Sequence, residues 1–342
     1  MLLDWLSFRV PLSSFGEDQI IRLRQLTDRI VRFCPRTGDV RYETCAWESI
    51  RSDSHQISFQ VGSSDLRIQG SPARVCGDGD AVFGSGASSQ LDVIGCLKAM
   101  ASYASKVLDV ILPQNAMSYT VTRVDVTGNL FLQGLPAVRD ALRILRDCEG
   151  GRYRVSQQAG DSVYWSHLSR LRSGKAYAKG PHLEYLTNSS RYSGRIYTPD
   201  EITLCTNLLR LELKLGREFF ARNDWRLMTP DFFKQQWTNY FDRMIGDSEM
   251  KNDNDVKARI FTVAPSEGRA KSAYGCWLLI QSEGWERAQE SFARPTWYRH
   301  LKVLRDAGLG DADLSSGKVV PLRRRILEAQ VIHSWADLSN AA

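Results

Sequence analysis

The sequence predicts an α+β protein in which an antiparallel sheet is flanked by helices and is followed by a mainly helical C-terminal region. Three segments alternate apolar and polar residues with the two-residue period of a strand, at 119–130, 175–179 and 208–215. Each has an apolar face for helices to cover and an opposite face that carries charge. We therefore expect these strands to lie side by side, with their polar faces together.

The other elements follow from periodicity and from chain-breaking residues. Strands are expected at 3–10, 57–61, 66–69 and 163–165, and the glycine-rich segment 76–89 is expected to be a loop. Helices are predicted at 18–33, 89–112, after Pro136, and at 295–307, because apolar residues recur there at helical spacing. A proline ends or precedes each of these runs.

Composition and motifs narrow the class of protein. The 342 residues carry a formal net charge of +6, the sign expected for a nucleic-acid partner. The seven cysteines include no C-x-x-C pair, which argues against a zinc ribbon and favours a reducing cytoplasm. The chain has no G-x-x-x-x-G-K-[ST] motif, so we expect no NTP motor. An acidic residue near the N-terminus and the lack of a long apolar run indicate neither export nor a membrane anchor.

The candidate nucleophile is Tyr177. On a strand, Lys175 and Lys179 share its face, so the phenol would lie between two ammonium groups. The unperturbed pKa of a phenol is about 10, and nearby positive charge favours the phenolate. The same charges would attract a phosphodiester. The alternative is a surface strand with solvated lysines and a tyrosine that packs on a neighbour.

Two carboxylates are expected to complete this site. Asp125 and Glu212 would share the face of Tyr177 if the three strands are neighbours, and carboxylates are suitable ligands for Mg²⁺ (or Mn²⁺). Basic side chains nearby are expected to hold the DNA backbone: Arg123, Arg170, Arg172 and Arg210. The alternative for both acids is a ladder of salt bridges on an exposed sheet face.

Histidines and the C-terminal region add weaker signals. No pair of histidines separated by one residue occurs, although His167 and His182 flank the tyrosine strand. The region 250–342 shows no second catalytic cluster and is either a helix-turn-helix-like DNA reader or an ordinary helical domain. The residues that would contact DNA there are Arg299, Lys302, Arg323, Arg324 and Arg325.

Several short motifs together resemble, in order and spacing, the gene II replication initiators of filamentous phages. They are Ser71-Pro-Ala-Arg-Val, Ala81-Val-Phe-Gly, Arg123-Val-Asp-Val-Thr, Val163-Tyr-Trp, Ala176-Tyr-Ala-Lys, Leu209-Arg-Leu-Glu, Phe261-Thr-Val-Ala-Pro, Trp297-Tyr-Arg, Ala307-Gly-Leu and Val319-Val-Pro-Leu. The resemblance covers nearly the whole chain. It implies an endonuclease and strand transferase that nicks one strand of the circular replicative form at its origin, leaves a 3′-hydroxyl, and later closes the displaced strand.

The resemblance also assigns residues and partners. The family's nucleophile falls on Tyr177 and its acidic strands on Asp125 and Glu212. Where the family commonly has Gly-His-Asn, this chain has Gly79-Asp80-Ala81, so either Asp80 replaces that histidine as a metal ligand or the site has one ligand fewer. The implied partners are double-stranded supercoiled and single-stranded origin DNA, a host helicase and a single-strand-binding protein, in the host cytoplasm.

Alternatives remain open at this point. A plasmid rolling-circle initiator would use the same chemistry, whereas a non-catalytic DNA-binding regulator would keep only the fold. We expect a nuclease domain at 1–249 and a C-terminal region at 250–342, which an internal start at Met250 would release as a separate product. The sequence leaves open the origin sequence, the oligomeric state, and whether a second tyrosine takes part in termination.

Overall fold

A computed structural model describes residues 1–52, 55–146, 148, 155–189, 192, 194–245, 253–317 and 329–342. The strands are β1 (Leu2–Pro11), β2 (Arg29–Phe33), β3 (Val40–Cys45), β4 (Glu48–Ser52), β5 (His55–Val61), β6 (Asp65–Gly70), β7 (Thr120–Phe131), β8 (Val155–Ala159), β9 (Ser162–Trp165), β10 (Arg172–Ala178), β11 (Leu208–Leu215) and β12 (Val331–Ile332).

The α-helices cover the sheet and build the C-terminal region. They are α1 (Glu17–Gln25), α2 (Pro72–Val75), α3 (Val93–Leu108), α4 (Gly134–Arg146), α5 (Lys179–Thr187), α6 (Pro199–Leu204), α7 (Arg217–Phe220), α8 (Pro230–Ile245), α9 (Asp253–Val263), α10 (Glu267–Glu283), α11 (Trp285–Glu290), α12 (Arg294–Asp306), α13 (Asp311–Ser316) and α14 (Trp335–Ala341).

The main sheet is antiparallel and confirms the predicted fold class. Its strand order is β4-β5-β6-β1-β7-β11-β10-β9-β8, while β2 and β3 form a separate hairpin. The three strands with charged faces, β7, β11 and β10, are therefore neighbours, as predicted. Tyr177 lies opposite Arg210, and Lys175 lies opposite Glu212. Asp125 lies opposite Lys214.

The apolar face of these strands forms the core with helices α3, α4 and α8. Val124, Val126, Leu211 and Leu213 are fully buried in one cluster with side chains from these helices. Trp237 of α8 also donates its indole N–H to the carbonyl of Leu211 at 3.0 Å, which fixes α8 across the sheet. The alternation of the strands thus assigns one face to the core and leaves the other for chemistry.

Two predicted helices end earlier than expected. The segment predicted as a helix over 18–33 contains α1 and then strand β2, because residues 29–33 pair with β3 in an exposed hairpin and this pairing overrides the helical spacing. Helix α3 ends at Leu108, since Asp109 adopts a left-handed conformation with φ of 51°. Ile111, predicted to face the core, is consequently 74% exposed.

The C-terminal helices form a second core. Trp297, Leu301 and Leu304 of α12 point into it, as predicted, together with side chains from α9 and α10. The predicted boundary at 249/250 and the proposed start at Met250 lie outside the described residues. The last segment then returns to the main sheet, where β12 pairs with β7. Within the described ranges, no helix is long and apolar enough to cross a membrane.

The close packing of α8 on the sheet gives a stability prediction. A Cβ on Gly128 would lie 2.8 Å from Trp237, whereas a Cβ on Gly275, exposed on α10, would meet nothing within 4 Å. We expect Gly128→Ala to lower the free energy of unfolding by about 1–3 kcal/mol through overpacking. Gly275→Ala, the matched control, should raise it by about 0.5–1 kcal/mol because alanine favours the helix. Urea unfolding measures both. A Gly128→Ala protein as stable as wild type would contradict the described packing.

Candidate active site

The centre of the site is a hydrogen bond between Tyr177 and Glu212. Tyr177 lies near the end of β10 and is 2% exposed. Its hydroxyl donates to Glu212 Oε1 at 2.7 Å, across the antiparallel pair that β10 forms with β11. Because the tyrosine and its acceptor are both held by neighbouring strands, their geometry is set by the sheet.

This arrangement changes the expected proton state of the tyrosine. The sequence suggested that cations would favour the phenolate. In the structure, burial and the carboxylate of Glu212 raise the pKa of Tyr177 well above its ordinary value, although Arg210 opposes them. Burial also raises the pKa of Glu212, against the effect of Lys175. The resting site is therefore a phenol that is hydrogen-bonded to a group able to accept its proton.

Two side chains pack against the ring of Tyr177. Lys175 Nζ lies 4.0 Å from the ring centroid and 3.9 Å from Glu212 Oε2. The ring of His182, on α5, lies 4.8 Å from that of Tyr177. Burial and nearby lysines lower the pKa of His182 to about 3, so its ring is neutral near pH 7. Its Nδ1 is buried and has no hydrogen-bond partner among the described residues.

Arg210 lies under the site and links the sheet to the glycine-rich loop. It is 1% exposed. Its guanidinium donates to Asn129 Oδ1 at 2.8 Å, to the carbonyl of Ala81 at 3.0 Å and to the carbonyl of Val82. This buried cation organises the site, and its predicted contact with DNA stays a prediction.

Lys179 occupies a different position from the one predicted. Strand β10 ends at Ala178, so Lys179 begins helix α5 and is not a strand neighbour of Tyr177. Its ammonium group is buried and donates to the carbonyl of Ala81 at 2.9 Å. Burial, followed by the charge of Arg210, lowers the pKa of Lys179 to about 7. The sequence pattern missed this because the strand period was extended one residue too far.

Asp4 is a further carboxylate in the site that the sequence did not identify. It lies where the pairing of β1 with β7 is irregular, and one of its oxygens is 3.8 Å from Arg210 Nη1. Burial acts to raise the pKa of Asp4, but Arg210 and Lys179 outweigh it and the net shift is downward. An acid within the apolar run Leu2-Leu3-Asp4-Trp5-Leu6 was the available signal. Asn129, which orients Arg210, carried no comparable signal.

Asp125 shares the polar face but is separately paired. Arg123 Nε donates to Asp125 Oδ1 at 2.8 Å, and a second guanidinium nitrogen contacts the other oxygen. This is the salt-bridge alternative that the sequence left open for this acid. Glu212 instead accepts the hydrogen bond from the Tyr177 hydroxyl. Its opposite neighbour Thr127 has a buried hydroxyl without a partner in the described part of the chain.

The predicted metal ligands do not form a cation site in this conformation. Among the described residues, no group of three or more His, Cys, Asp or Glu side chains is arranged to hold a metal ion. The carboxylates of Asp125 and Glu212 are each directed to a partner of their own, Arg123 and Tyr177. Their role as ligands therefore stays a prediction.

Asp80 is held in a network of its own. Its carboxylate accepts from Tyr197 Oη at 3.0 Å, Trp335 Nε1 at 2.8 Å and the backbone N–H of Val82 at 2.8 Å. Arg195 lies 3.4 Å away. These contacts fix the loop whose Ala81 and Val82 carbonyls hold the buried cations. Asp80 as a metal ligand stays a prediction, and in this conformation its carboxylate oxygens are occupied by these donors.

The predicted DNA-binding residues lie in different environments. Arg170 is exposed near the sheet, and Arg299 and Lys302 are exposed on α12. Arg172 is partly buried, where it donates to Gln236 at 2.6 Å and lies over the ring of Phe219. Arg323, Arg324 and Arg325 lie outside the described residues.

One face of the antiparallel sheet thus carries a phenol, the carboxylate that accepts its hydrogen bond, and nearby cations. Residues 2–239 match the family described as the N-terminal part of a phage replication-associated protein, and the chain belongs to this family. This confirms the resemblance given by the motifs. The chain is homologous to the replication initiators of filamentous phages.

Individual relatives agree with the family match. The replication-associated protein of Enterobacteria phage fd is 23% identical over 335 residues, covering 82% of this chain and 80% of that protein. That of Salmonella phage IKe is 23% identical over 310 residues, covering 76% and 72%. A rolling circle replication initiator protein from Geobacillus stearothermophilus covers 68% of this chain and 78% of its own, at 11% identity and a TM-score of 0.29. That degree of superposition is too low to support residue correspondence.

The network of Asp80 predicts that this residue stabilises the fold without any metal. Asp80→Ala should lower the free energy of unfolding by about 2–4 kcal/mol, because buried donors lose their acceptor. Trp335→Phe, which removes the indole N–H donor and part of the ring that packs on Phe83, should cost about 1–2 kcal/mol. Thermal and urea unfolding in EDTA measure both. An Asp80→Ala protein that is as stable as wild type or more stable would show that the carboxylate is not structural.

His182 predicts an acid-dependent loss of stability. Its pKa is about 3 in the folded chain and about 6.5 when unfolded, so from pH 6.5 down to pH 3 the unfolded state binds the additional proton. This lowers stability as the pH falls. His182→Phe removes the titration, so its stability relative to wild type should rise by about 2–3 kcal/mol between pH 7 and pH 4.5. Urea unfolding at both pH values tests this. The exposed His167→Phe is the control, and an equal change in both variants would rule out the assignment.

Proposed function

We propose that this protein initiates rolling-circle replication by nicking one strand of a circular phage replicative-form DNA at its origin, through a covalent link between Tyr177 and DNA, and later rejoins the displaced strand. The observation that carries the proposal is the 2.7 Å hydrogen bond from Tyr177 to Glu212 in a chain of this phage replication family. It pairs a nucleophile with a proton acceptor on a rigid sheet.

The proposed step exchanges one phosphodiester for another. Glu212 accepts the phenol proton as Tyr177 Oη attacks the scissile phosphorus. The Oη–P bond forms and the P–O3′ bond breaks, and the departing 3′-oxygen takes a proton from water. The hydroxide that remains is neutralised by the proton from Glu212, which returns to its carboxylate form. The products are a 5′-phosphotyrosyl link and a free 3′-hydroxyl. Rejoining is the reverse reaction, in which a 3′-hydroxyl attacks the phosphotyrosyl phosphorus and the proton returns to Tyr177, so no ATP is required.

The cations of the site have distinct roles in this proposal. Lys175, whose side chain contacts both Tyr177 and Glu212, is the cation placed to stabilise charge that develops on the phosphate. Lys179 and Arg210 bond to the loop carbonyls and act as positioning groups. Because Tyr177 is 2% exposed, DNA must displace a side chain that covers the ring before attack.

The remaining parts of the proposal concern cofactor and partners. We expect Mg²⁺ (or Mn²⁺) to be required, with Asp125 and Glu212 as the residues to test as ligands and Asp80 as the third. The substrate is origin DNA, supercoiled and double-stranded at initiation and single-stranded at closure. Because the chain has no P-loop motif, a host helicase and a single-strand-binding protein would separate and protect the strands in the host cytoplasm.

The decisive experiment uses supercoiled replicative-form DNA with Mg²⁺. Tyr177→Phe should reduce nicking by about 10³-fold or more, because the nucleophile is lost while the ring remains. Wild type should also yield a DNA-linked tryptic peptide, Ala176–Lys179. Tyr298→Phe, at an exposed tyrosine of α12, is the matched control and should nick normally. Equal nicking by Tyr177→Phe and wild type would remove Tyr177 from the mechanism, and no nicking by any of them would favour a non-catalytic regulator.

Glu212→Gln separates proton transfer from metal binding. The amide can still accept the hydrogen bond of the phenol but is not a base, so we expect about 10²–10⁴-fold slower nicking that recovers as the pH rises. Titration with Mg²⁺ and Mn²⁺ provides the second readout. A variant that recovers at high metal concentration, with no change in its pH profile, would assign Glu212 to metal binding instead.

A further inference from the structure

A basic groove opens beside the candidate active site, on the same side of the sheet as Asp125. It encloses about 440 Å³, and we name it by its polar lining residues: Thr122, Arg123, Ser169, Arg170, Lys214 and Arg217. Four of these are cations, contributed by strands β7 and β11 and by the two segments that follow β9 and β11. Asp125, the acid beside this lining, is paired with Arg123.

Two of the four cations are available for an external anion. Arg170 and Arg217 are exposed and make no ion pair with any described residue. Ser169 Oγ accepts from the backbone N–H groups of Leu171 and Arg172 at 3.2 and 3.3 Å. Its hydroxyl proton is therefore free to be donated to a ligand. The groove thus offers two unpaired guanidinium groups and a hydroxyl donor, which suits a phosphate oxygen.

The walls of the groove are fixed by backbone contacts. Gly216 N–H donates to the carbonyl of Leu171 at 2.9 Å, and Glu218 N–H donates to that of Arg170 at 3.0 Å. A Cβ on Gly216 would lie 2.3 Å from the Arg170 carbonyl oxygen, so only glycine permits this approach. The two guanidinium-bearing segments are therefore held together before any ligand arrives.

The groove lies in line with the reacting groups. Lys214 is two residues beyond Glu212 on β11 and four beyond Arg210, the partner of Tyr177 in the sheet. At about 3.4 Å per strand residue these separations are about 7 and 14 Å. A nucleotide of B-form DNA rises about 3.4 Å, so they correspond to about two to four nucleotides, and to fewer in an extended strand.

We infer that the basic groove binds the sugar-phosphate backbone of the strand that is cut, at one phosphodiester within about four nucleotides of the scissile bond. This inference rests on the proposed function for the identity of the strand. Bound both in the basic groove and at Tyr177, the DNA would be held in one register on the sheet. The groove would therefore determine which phosphodiester reaches Tyr177. Its contacts are to phosphate and carry no base specificity of their own.

The first test measures binding without cleavage. Fluorescence anisotropy of a 16-nucleotide single-stranded DNA of mixed sequence, with Tyr177→Phe as the background, gives the slope of log affinity against log salt concentration. Each lost phosphate contact should lower the slope by about 0.7 for single strands. We expect Arg170→Gln plus Arg217→Gln, which together contact one phosphodiester, to lower the magnitude of the slope by about 0.7. Arg269→Gln, an exposed arginine on α10, removes the same kind of charge and should leave it unchanged.

The second test locates the contact. Oligonucleotides that span the nick carry one neutral methylphosphonate at each of the four positions on either side, and binding is measured for each. Wild type should lose affinity at one or more positions, and Arg170→Gln or Arg217→Gln should abolish that loss at a single position while the others remain. Identical interference patterns in wild type and variants, or salt slopes that match Arg269→Gln, would overturn the inference.

The two proposals fail separately in these experiments. If Tyr177→Phe nicks as well as wild type but the groove variants change the salt slope as expected, the groove stands and the assigned nucleophile does not. If wild type nicks through Tyr177 and the groove variants behave as the Arg269→Gln control, the assigned nucleophile stands and the groove does not. Should no nicking be found, the salt slope alone decides whether the groove binds DNA.

Discussion

The structure of the site depends on the buried guanidinium of Arg210. A charge removed from water must be matched by acceptors with good geometry, or its burial is strongly unfavourable. Here the acceptors come from three separate parts of the chain: Asn129 on β7, the carbonyls of Ala81 and Val82, and the carboxylate of Asp4. The central strands, the N-terminal strand and the glycine-rich loop are therefore fixed relative to one another around a single side chain.

This constraint explains why the same loop is supported twice. The carbonyl of Ala81 accepts from Arg210 and also from Lys179, the first residue of α5. On its other side, the loop is held by Asp80, which accepts from the backbone of Val82. Arg210 and Lys179 are therefore not paired directly with Asp80. The cations bind the carbonyl oxygen of Ala81, and Asp80 binds the N–H group of Val82. The hydrogen-bonded pair of Tyr177 and Glu212 lies beside Arg210 on the same face of the sheet, so the contacts of Arg210 also support this pair.

The sequence predicted the features that depend on strand alternation. It did not predict those that depend on where a strand ends or on contacts between residues distant in the chain. The neighbouring positions of β7, β11 and β10, and the shared face of Tyr177, Asp125 and Glu212, follow from period-two patterning. The placement of Lys179 did not, because the strand ends at Ala178 and the helix begins at the very next residue. Asp4 and Asn129 act through contacts distant in sequence, which no local pattern records. Strand β2 was mistaken for the end of a helix because Ile30 and Phe33 continue the helical spacing of the preceding segment.

The position of Trp335 has a consequence for the order in which the protein is assembled. Synthesis delivers β1, the glycine-rich loop and the central strands early, yet one donor to Asp80 and the short strand beside the end of β7 come from residues 331–335. A nascent chain that has emerged only as far as β11 therefore lacks part of the scaffold that supports Tyr177 and Glu212. The contacts of Asp80 are therefore completed only when the residues around Trp335 have been added, long after β11 has been synthesised.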